Sequence, residues 1–312
     1  MIGTLTLNPC IDVTLEINKF TYGGMNRVIT ERKDVSGKGI NVSAALLQNG
    51  IDTKTCGFIY ADDKEFFLKA LKDRGITYEG IEVPGTVREN IKIWDTDSNI
   101  TTEVNQSGKF VAETYQKQFL TFFSDFIDNL SLTVLSGSLP KGVDTGFYKI
   151  LIEQAHKKNI PCILDAEGEC LLKGLQAHPL LIKPNKYEFM TAFSPSDDSE
   201  KSIIQKSHEL IHSGYVQYIC ITLGKDGAML VDKESAFVCR SLDIPLRCTQ
   251  GAGDSVVAGI CAAYKKNAHT SEMLRLGCAM AHATLIREGT QMCLPEDCRS
   301  FYDKLTVEEV KK

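Results

Sequence analysis

Short apolar runs alternate with longer stretches of helical periodicity along most of the chain. Buried strands are predicted where β-branched and aliphatic residues cluster, at 2–7, 53–58, 132–136, 162–164, 180–182 and 218–222. Helices are predicted where apolar residues recur with helical spacing, at 40–48, 64–74, 113–129, 146–158, 199–213, 254–266, 271–287 and 295–310. This alternation predicts an α/β fold with a mostly parallel central sheet covered by helices on both faces.

Two segments, about 12–33 and 87–106, interrupt the alternation. They contain runs in which polar and apolar residues alternate, such as VTLEI at 13–17 and NIKIW at 90–94, and they contain no helical pattern. Strands with one polar face cannot lie in a sheet that is buried on both sides, so we expect a small antiparallel lid beside the main sheet. Because no long linker occurs, residues 1–312 are predicted to form a single domain with the lid segments inserted in it.

The bulk composition excludes several classes of partner. Hydrophobic residues make up 43% and charged residues 24% of the chain, as in a soluble globular protein with a sizeable core. The formal net charge is -5 and no stretch is dense in Lys or Arg, so we expect neither nucleic acid nor a membrane as a partner. The first residues, MIGTLTLNPC, lack the features of a signal peptide, and the 11 cysteines form no C-x-x-C pair. We therefore expect a cytoplasmic protein whose cysteines are small core residues.

The motif with the strongest chemical implication is Gly251-Ala252-Gly253-Asp254. Two glycines let the backbone approach a ligand, and a helix that begins there directs free N–H groups and its positive dipole end at that ligand. These donors suit a phosphate in transfer. The Asp254 carboxylate would repel an anion and is better placed to take a proton from an attacking hydroxyl. The combination indicates phosphoryl transfer, although a tight turn followed by a helix N-terminal acid explains the isolated motif equally well.

A second glycine-flanked helix start, SGKGINV at 36–42, carries a cation. Lys38 could reach a phosphate or a carboxylate, and Asn41 could bind a sugar hydroxyl. Asp12 follows the first strand, and ligands of open α/β sheets gather beyond the carboxyl ends of the strands, so this carboxylate could hold paired sugar hydroxyls. The simpler alternatives are a solvated Lys38 in a turn and an Asn-Pro turn closed by Asp12.

Two further loops follow predicted strands and could face a nucleotide. Asn185 and Glu188 would share a helix face and could orient water around Mg²⁺, although a helix cap explains the same spacing. Thr222 and Gly224 could approach a nucleotide phosphate, although the Asp-Gly pair at 226–227 is typical of a hairpin turn.

Arg27 and Arg88 are the notable cations of the lid segments. Guanidinium groups match phosphate oxygens, so both could clamp a phosphate if the lid closes over a substrate. Since surface arginines are common, this expectation depends on the lid.

In these motifs and their order, the chain resembles the ribokinase/PfkB family of sugar kinases, and within it the branch of 1-phosphofructokinases and tagatose-6-phosphate kinases. The resemblance covers nearly the whole chain. It is carried by TLNP at 6–9 with Asp12, GKGINV at 37–42, Val87-Arg88, SGSLP at 136–140, KPN at 183–185 with Glu188, and GAGDS at 251–255. It implies a three-layer αβα ribokinase-like fold with a small β-sheet lid, and a homodimer formed through the lid strands.

The resemblance also implies an ATP- and Mg²⁺-dependent transfer of the γ-phosphoryl group to a hydroxymethyl oxygen of a sugar phosphate. By this likeness Asp254 is the base, and the amides of Gly251, Ala252 and Gly253 stabilise the transferring group. The residues that would hold the sugar phosphate are Asp12, Arg27, Gly37, Lys38, Asn41, Arg88 and Ser138. The residues that would serve the nucleotide are Lys183, Asn185, Thr222, Gly224 and Gly227, and Glu188 would hold Mg²⁺ through water.

Several functions share this set of residues. The expected reaction converts fructose 1-phosphate to fructose 1,6-bisphosphate, and the alternative converts tagatose 6-phosphate to tagatose 1,6-bisphosphate. A kinase for unphosphorylated sugars or nucleosides would not need Arg27, Lys38 and Arg88 to converge. A non-catalytic sensor of nucleotide or sugar phosphate would be expected to lack Asp254 or the Gly-Ala-Gly motif, and both are present.

Three positions depart from the residues usual in the family. Cys10 stands where Ala or Ser is usual, Ser36 where glycine is usual, and Gln250 where a small or β-branched residue commonly precedes the Gly-Ala-Gly motif. None of them removes a chemical group that the mechanism needs. Ser36 and Gln250 flank the substrate and phosphate loops, so they bear on which sugar is accepted.

Overall fold

A computed structural model of the protein describes residues 1–310. Its strands are β1 Ile2–Thr6, β2 Cys10–Ile17, β3 Thr30–Ser36, β4 Thr53–Tyr60, β5 Tyr78–Val83, β6 Arg88–Asp95, β7 Ile100–Asn105, β8 Leu132–Ser136, β9 Cys162–Asp165, β10 Leu181–Ile182, β11 Tyr218–Thr222, β12 Ala228–Val231, β13 Ala236–Cys239 and β14 Val307–Glu309. Its helices are α1 Lys38–Gln48, α2 Lys64–Asp73, α3 Glu113–Phe126, α4 Phe147–Lys157, α5 Gly168–Leu175, α6 Lys186–Phe193, α7 Glu200–His212, α8 Ala252–Tyr264, α9 Thr270–Leu285 and α10 Pro295–Lys304.

Ten strands form one large sheet in the order β14-β13-β12-β11-β10-β9-β8-β1-β4-β5. The seven strands from β11 to β5 run parallel, and β12, β13 and β14 add an antiparallel edge. Helices flank the sheet in two groups of successive contacts, α1-α8-α9-α10 and α3-α4-α5-α6. The predicted α/β architecture with a mostly parallel central sheet is therefore confirmed.

The predicted strands all occur, as β1, β4, β8, β9, β10 and β11, but the C-terminal helix is shorter than predicted. The helix expected at 295–310 ends at Lys304, because Leu305 adopts an extended conformation with φ -75° and ψ 139°. The chain then pairs antiparallel with β13, with Val307 opposite Cys239. The residues that looked like a last helical turn instead form the edge strand of the large sheet.

Four strands form a second, small sheet in the order β3-β2-β6-β7. They come from the two segments that were expected to form the lid, and we call this sheet the lid. The expectation that it is antiparallel is wrong at its centre, where β2 and β6 pair in parallel. The chain passes through β3, α1, β4, α2 and β5 between these two strands, so no hairpin turn imposes opposite directions on them.

A close helix crossing positions the start of α8. A Cβ atom on Gly259 of α8 would lie 2.6 Å from the Cα atom of Gly277 of α9, so only glycine permits this approach.

The cysteines lie mostly in the core, as expected, with all but Cys170 and Cys248 buried. Burial, followed by the charge of Asp12, raises the pKa of Cys10 to about 12. Within residues 1–310, no helix has the length and apolarity that crossing a bilayer requires.

Candidate active site

The carboxyl ends of the parallel strands meet at one edge of the large sheet, and several charged side chains converge there. The register pairs Leu164 with Ile182, so the next residues, Asp165 and Lys183, are neighbours. Asp165 Oδ1 lies 3.3 Å from Lys183 Nζ and 3.1 Å from the Nζ atom of Lys38 at the start of α1. One buried carboxylate therefore joins two cations that come from distant parts of the sequence.

Asp165 was not among the predicted site residues. Burial alone would raise its pKa, but the charges of Lys183 and Lys38 outweigh that effect and lower it. Asp165 in turn raises the pKa of Lys38, although burial acts in the opposite direction. Asp165, like Asp12, is a carboxylate at the carboxyl end of a predicted strand, so the same sequence pattern indicates it as a site residue.

The Gly-Ala-Gly motif forms the N-terminus of α8. Gly251 is the N-cap residue and has a φ of 77°, a conformation that favours glycine, and its carbonyl accepts the first helical hydrogen bond from Ser255 N at 2.8 Å. The N–H groups of the first-turn residues that come before Ser255 have no partner within the helix. A Cβ atom on Gly253 would lie 3.6 Å from Lys183 Nζ. Backbone donors and an ammonium group thus surround one point, as an anion site requires.

Asp254 lies in the same first turn and is 7% exposed. Asn41 of α1, which follows the N-cap residue Gly37, donates a 2.8 Å hydrogen bond from Nδ2 to Asp254 Oδ2. Burial, followed by repulsion from Asp165, raises the pKa of Asp254 to about 6, while Lys38 acts to lower it. The carboxylate is ionised at neutral pH and more basic than an ordinary aspartate, which suits a general base.

Asp12 of β2 is 1% exposed and belongs to a cluster of polar side chains under the lid. It accepts hydrogen bonds from Asn90 Nδ2 at 3.1 Å and from Gln250 Nε2 at 2.5 Å, and Lys92 Nζ lies 3.4 Å from its Oδ1 atom. Lys92 also donates to the amide oxygen of Gln250. Lys92 and Gln250 were not predicted as site residues, yet the period of two along β6 places Lys92 on the same face as Asn90 and Arg88.

The other predicted sugar ligands do not all converge. Arg88 donates from Nε to the carbonyl of Asn8 at 3.2 Å and from Nη1 to Asn90 Oδ1 at 2.9 Å. The Asn8 amide also donates to Ser138 Oγ at 3.0 Å, so Arg88 and Ser138 meet at Asn8. Arg27 lies in the exposed loop between β2 and β3, and its side chain forms no hydrogen bond or ion pair with any residue in 1–310.

A cavity of about 620 Å³ adjoins the N-terminus of α8. Its lining includes four of the predicted nucleotide-binding residues, namely Asn185, Thr222, Gly224 and Gly227. Ala252 and Gly253 also line it, so the cavity opens onto the free N–H groups of the first turn. Much of the remaining lining is apolar, and its larger side chains are Leu242, Ile244, Leu246, Val256 and Leu285. An apolar cavity that ends at an anion site suits a planar base with an attached phosphate chain.

Asn185 and Glu188 form the capping box that was the alternative explanation for their spacing. Asn185 Oδ1 accepts from Glu188 N, and Glu188 Oε2 accepts from Asn185 N, each at 2.8 Å. This arrangement fixes one carboxylate oxygen of Glu188 at the start of α6, beside the cavity.

Comparisons with known proteins identify the family to which this site belongs. The model of the pfkB family carbohydrate kinases matches residues 3–297. The chain belongs to this family. The 1-phosphofructokinase of Bacillus subtilis (strain 168) is 32% identical over 302 residues, which are 95% of this chain and 98% of the relative. The 1-phosphofructokinase of Borreliella burgdorferi is 31% identical over 311 residues, 99% of each chain. The solved structure of phosphofructokinase-2 from Escherichia coli has a TM-score of 0.92 and 27% identity, covering 97% of this chain and 98% of that one.

As a pfkB family carbohydrate kinase, the protein is a phosphotransferase with an alcohol group as acceptor, and ATP is its co-substrate. The relatives support a sugar phosphate as the acceptor and do not favour a non-catalytic sensor. The expected ribokinase-like fold with a small second sheet agrees with the solved neighbours.

Proposed function

We propose that the protein transfers the γ-phosphoryl group of ATP to O6 of fructose 1-phosphate, which gives fructose 1,6-bisphosphate. The observation that carries the proposal is the position of Asp254, a buried carboxylate beside the free amides of α8 and hydrogen-bonded to Asn41. The relatives named 1-phosphofructokinase support this choice of sugar. Tagatose 6-phosphate is the second candidate, because the same groups would serve it.

In the proposed reaction Asp254 takes the proton of the sugar hydroxyl. The oxygen forms a bond to the γ-phosphorus while the bond from that phosphorus to the β–γ bridging oxygen breaks, and ADP leaves with the electron pair. The amides of Gly251, Ala252 and Gly253 stabilise negative charge on the transferring group. A pKa of about 6 keeps Asp254 ionised at neutral pH and makes it a stronger base than an ordinary aspartate.

We propose that the sugar phosphate lies between the start of α1 and the lid. Its ligands in this proposal are Asp12, Gly37, Lys38, Asn41, Arg88 and Ser138, and Arg27 joins them when the lid closes. Two observations support this arrangement. Asn41 donates a hydrogen bond to Asp254, and Asp12 and Arg88 both form hydrogen bonds with Asn90 of the lid.

The nucleotide is proposed to occupy the 620 Å³ cavity, with its phosphates directed at the first turn of α8. Its ligands in this proposal are Lys183, Asn185, Thr222, Gly224 and Gly227. Among residues 1–310, no group of three or more His, Cys, Asp or Glu side chains could hold a metal ion. This fits a Mg²⁺ held chiefly by nucleotide phosphates and water, with Glu188 acting through a water molecule. The ion would neutralise charge on the phosphates.

A substrate panel tests the proposed reaction. With ATP and a coupled ADP assay, we expect kcat/KM for fructose 1-phosphate to exceed that for tagatose 6-phosphate and fructose 6-phosphate at least about tenfold, as one well-placed polar contact allows. Phosphorus NMR of the product checks that the new ester is at O6, and ADP release without sugar is the control. Equal or reversed preference would contradict the choice of sugar, and faster turnover of free fructose would favour a kinase for unphosphorylated sugars.

We also propose that two chains pair through the outer surface of the lid. Ile100 and Val104 of β7 are 60% and 56% exposed, and Tyr22 and Met25 in the β2–β3 loop are 96% and 83% exposed. Sedimentation is expected to give the mass of two chains, and replacing both Ile100 and Val104 by Asp is expected to give the mass of one. Glu103→Ala is the matched control on the other face of β7. A wild-type chain that sediments at the mass of one chain would contradict the proposal.

A further inference from the structure

Gln250 is a half-buried glutamine that lies between two side chains of opposite charge. Its amide nitrogen donates to Asp12 Oδ2 at 2.5 Å, and its amide oxygen accepts from the ammonium group of Lys92. The orientation of the amide is therefore fixed, because the oxygen must face the ammonium group and the nitrogen must face the carboxylate. The three residues come from β2, β6 and the position just before Gly251, so Gln250 joins the lid to the catalytic loop.

The contacts of Asp12 place the amide of Gln250 beside a proposed sugar ligand. A carboxylate has about four acceptor positions. Asp12 Oδ1 accepts from Asn90 at 3.1 Å, lies 3.4 Å from Lys92 Nζ and is 3.8 Å from Cys10 Sγ, while Oδ2 accepts from Gln250. The side chain of Asp12 is also 1% exposed. A sugar hydroxyl that binds Asp12 shares or replaces one of these contacts, and the half-buried amide of Gln250 is the polar group beside it.

The position of Gln250 relative to Asp254 decides which part of the sugar it meets. Gln250 directly precedes Gly251, and Asp254 is the proposed base for the hydroxyl that is phosphorylated. The backbone of Gln250 thus adjoins the phosphoryl site and its side chain extends to Asp12, so the carbons next to the reacting hydroxymethyl group are the part of the sugar that it would meet. These carbons differ between the candidates. Fructose 1-phosphate, which reacts at O6, presents C5 and C4 there, whereas a 6-phosphate, which reacts at O1, presents the anomeric C2 and C3.

We propose that Gln250 is a specificity-determining residue that hydrogen-bonds the sugar beside its reacting carbon. The second N–H of its amide donates and the remaining lone pair of its carbonyl accepts, while Asp12 and Lys92 hold the plane of the amide. Lys92 is a positioning residue in this scheme, and Asp12 keeps its proposed role as a sugar ligand while it also holds Gln250. The inference rests on the proposed function, because it states how that site tells one ketohexose phosphate from another.

The test compares wild type with Gln250→Ala and Gln250→Glu. The readout is the ratio of kcat/KM for the preferred sugar phosphate to kcat/KM for its isomer with the phosphate at the other end. We expect Gln250→Ala to lower this ratio about tenfold, with KM for ATP unchanged. Glutamate has the same shape and can pair with Lys92 but has no N–H group, so Gln250→Glu is expected to lower the ratio at least as much. Gln106→Ala, an exposed glutamine of the lid region, is the matched control.

Each outcome decides between the possibilities. An unchanged ratio in Gln250→Ala, or a wild-type ratio in Gln250→Glu, would overturn the proposal, since the side chain would then only fill space. A uniform rise of kcat/KM on every sugar in Gln250→Ala would also overturn it, because Gln250 would merely block Asp12. If wild type prefers tagatose 6-phosphate, the proposed substrate is wrong, and the ratio with the sugars exchanged still judges Gln250. If wild type phosphorylates no sugar phosphate, both proposals fail.

Discussion

Replacing Asp254 by Asn is expected to lower kcat by about 10³-fold while making the folded protein more stable above pH 6. Asn has nearly the same shape and can still accept the hydrogen bond from Asn41, but it cannot take a proton from the sugar hydroxyl. The amides and cations that surround the transferring group remain in place. Binding of ATP is therefore expected to be unchanged, and the decrease in kcat should come from a slower chemical step.

The expected gain in stability follows from the pKa of Asp254. Burial and repulsion from Asp165 raise that pKa from 3.8 to about 6 in the folded protein, so folding disfavours the ionised form. The wild-type free energy of unfolding therefore decreases as the pH rises from the unfolded value through about 6, and the loss is complete at pH 8. By linkage the loss is on the order of 2 to 3 kcal/mol, and the uncharged Asn variant avoids it.

Denaturant unfolding of both proteins at pH 4 and pH 8, together with steady-state kinetics, checks this expectation. Glu113→Gln is a matched control, because Glu113 is an exposed acid in the first turn of α3 and is remote from the cavity. Loss of that acid should slightly destabilise the helix and leave kcat unchanged. If Asp254→Asn behaved like this control, Asp254 would be a helix N-terminal acid and the proposed base would be wrong.

The large elements of the fold were predictable because each has a local cause. Apolar runs predicted the six central strands, and period-two alternation predicted the lid. The direction of β6 beside β2 was not predictable, since it depends on pairing between segments that are far apart in sequence. The β14 strand was missed because Val307 is extended only through its pairing with Cys239.

The candidate site shows the same division. Gly251 and Asp254 are adjacent in sequence, so their shared chemistry could be inferred from the motif. Lys92 gains its importance only from Asp12, which lies far from it in sequence but in contact with it and with Gln250 in the fold. A lysine in an alternating strand reads as a solvent-facing residue, and only the packing of the lid shows that the side chain of Lys92 is 10% exposed.

Replacing Asp12 by Asn is expected to lower the free energy of unfolding by about 3 kcal/mol, because it leaves the buried ammonium group of Lys92 without a counter-charge. The hydrogen bonds also conflict. If the new amide directs its oxygen at Asn90 and Lys92, its nitrogen faces the amide nitrogen of Gln250, and turning Gln250 over places that nitrogen against Lys92.

The double variant Asp12→Asn with Lys92→Met separates the charge from the shape of the cluster. Met fills a similar volume and carries no charge, so the double variant is expected to regain most of the stability that Asp12→Asn loses. Denaturant unfolding of wild type, both single variants and the double variant gives the coupling free energy of the pair. Lys92→Met alone should also destabilise the fold, because it leaves the buried carboxylate of Asp12 without its cationic partner. A coupling close to zero would show that solvent already screens these charges, which a carboxylate 1% exposed and an ammonium 10% exposed should not permit.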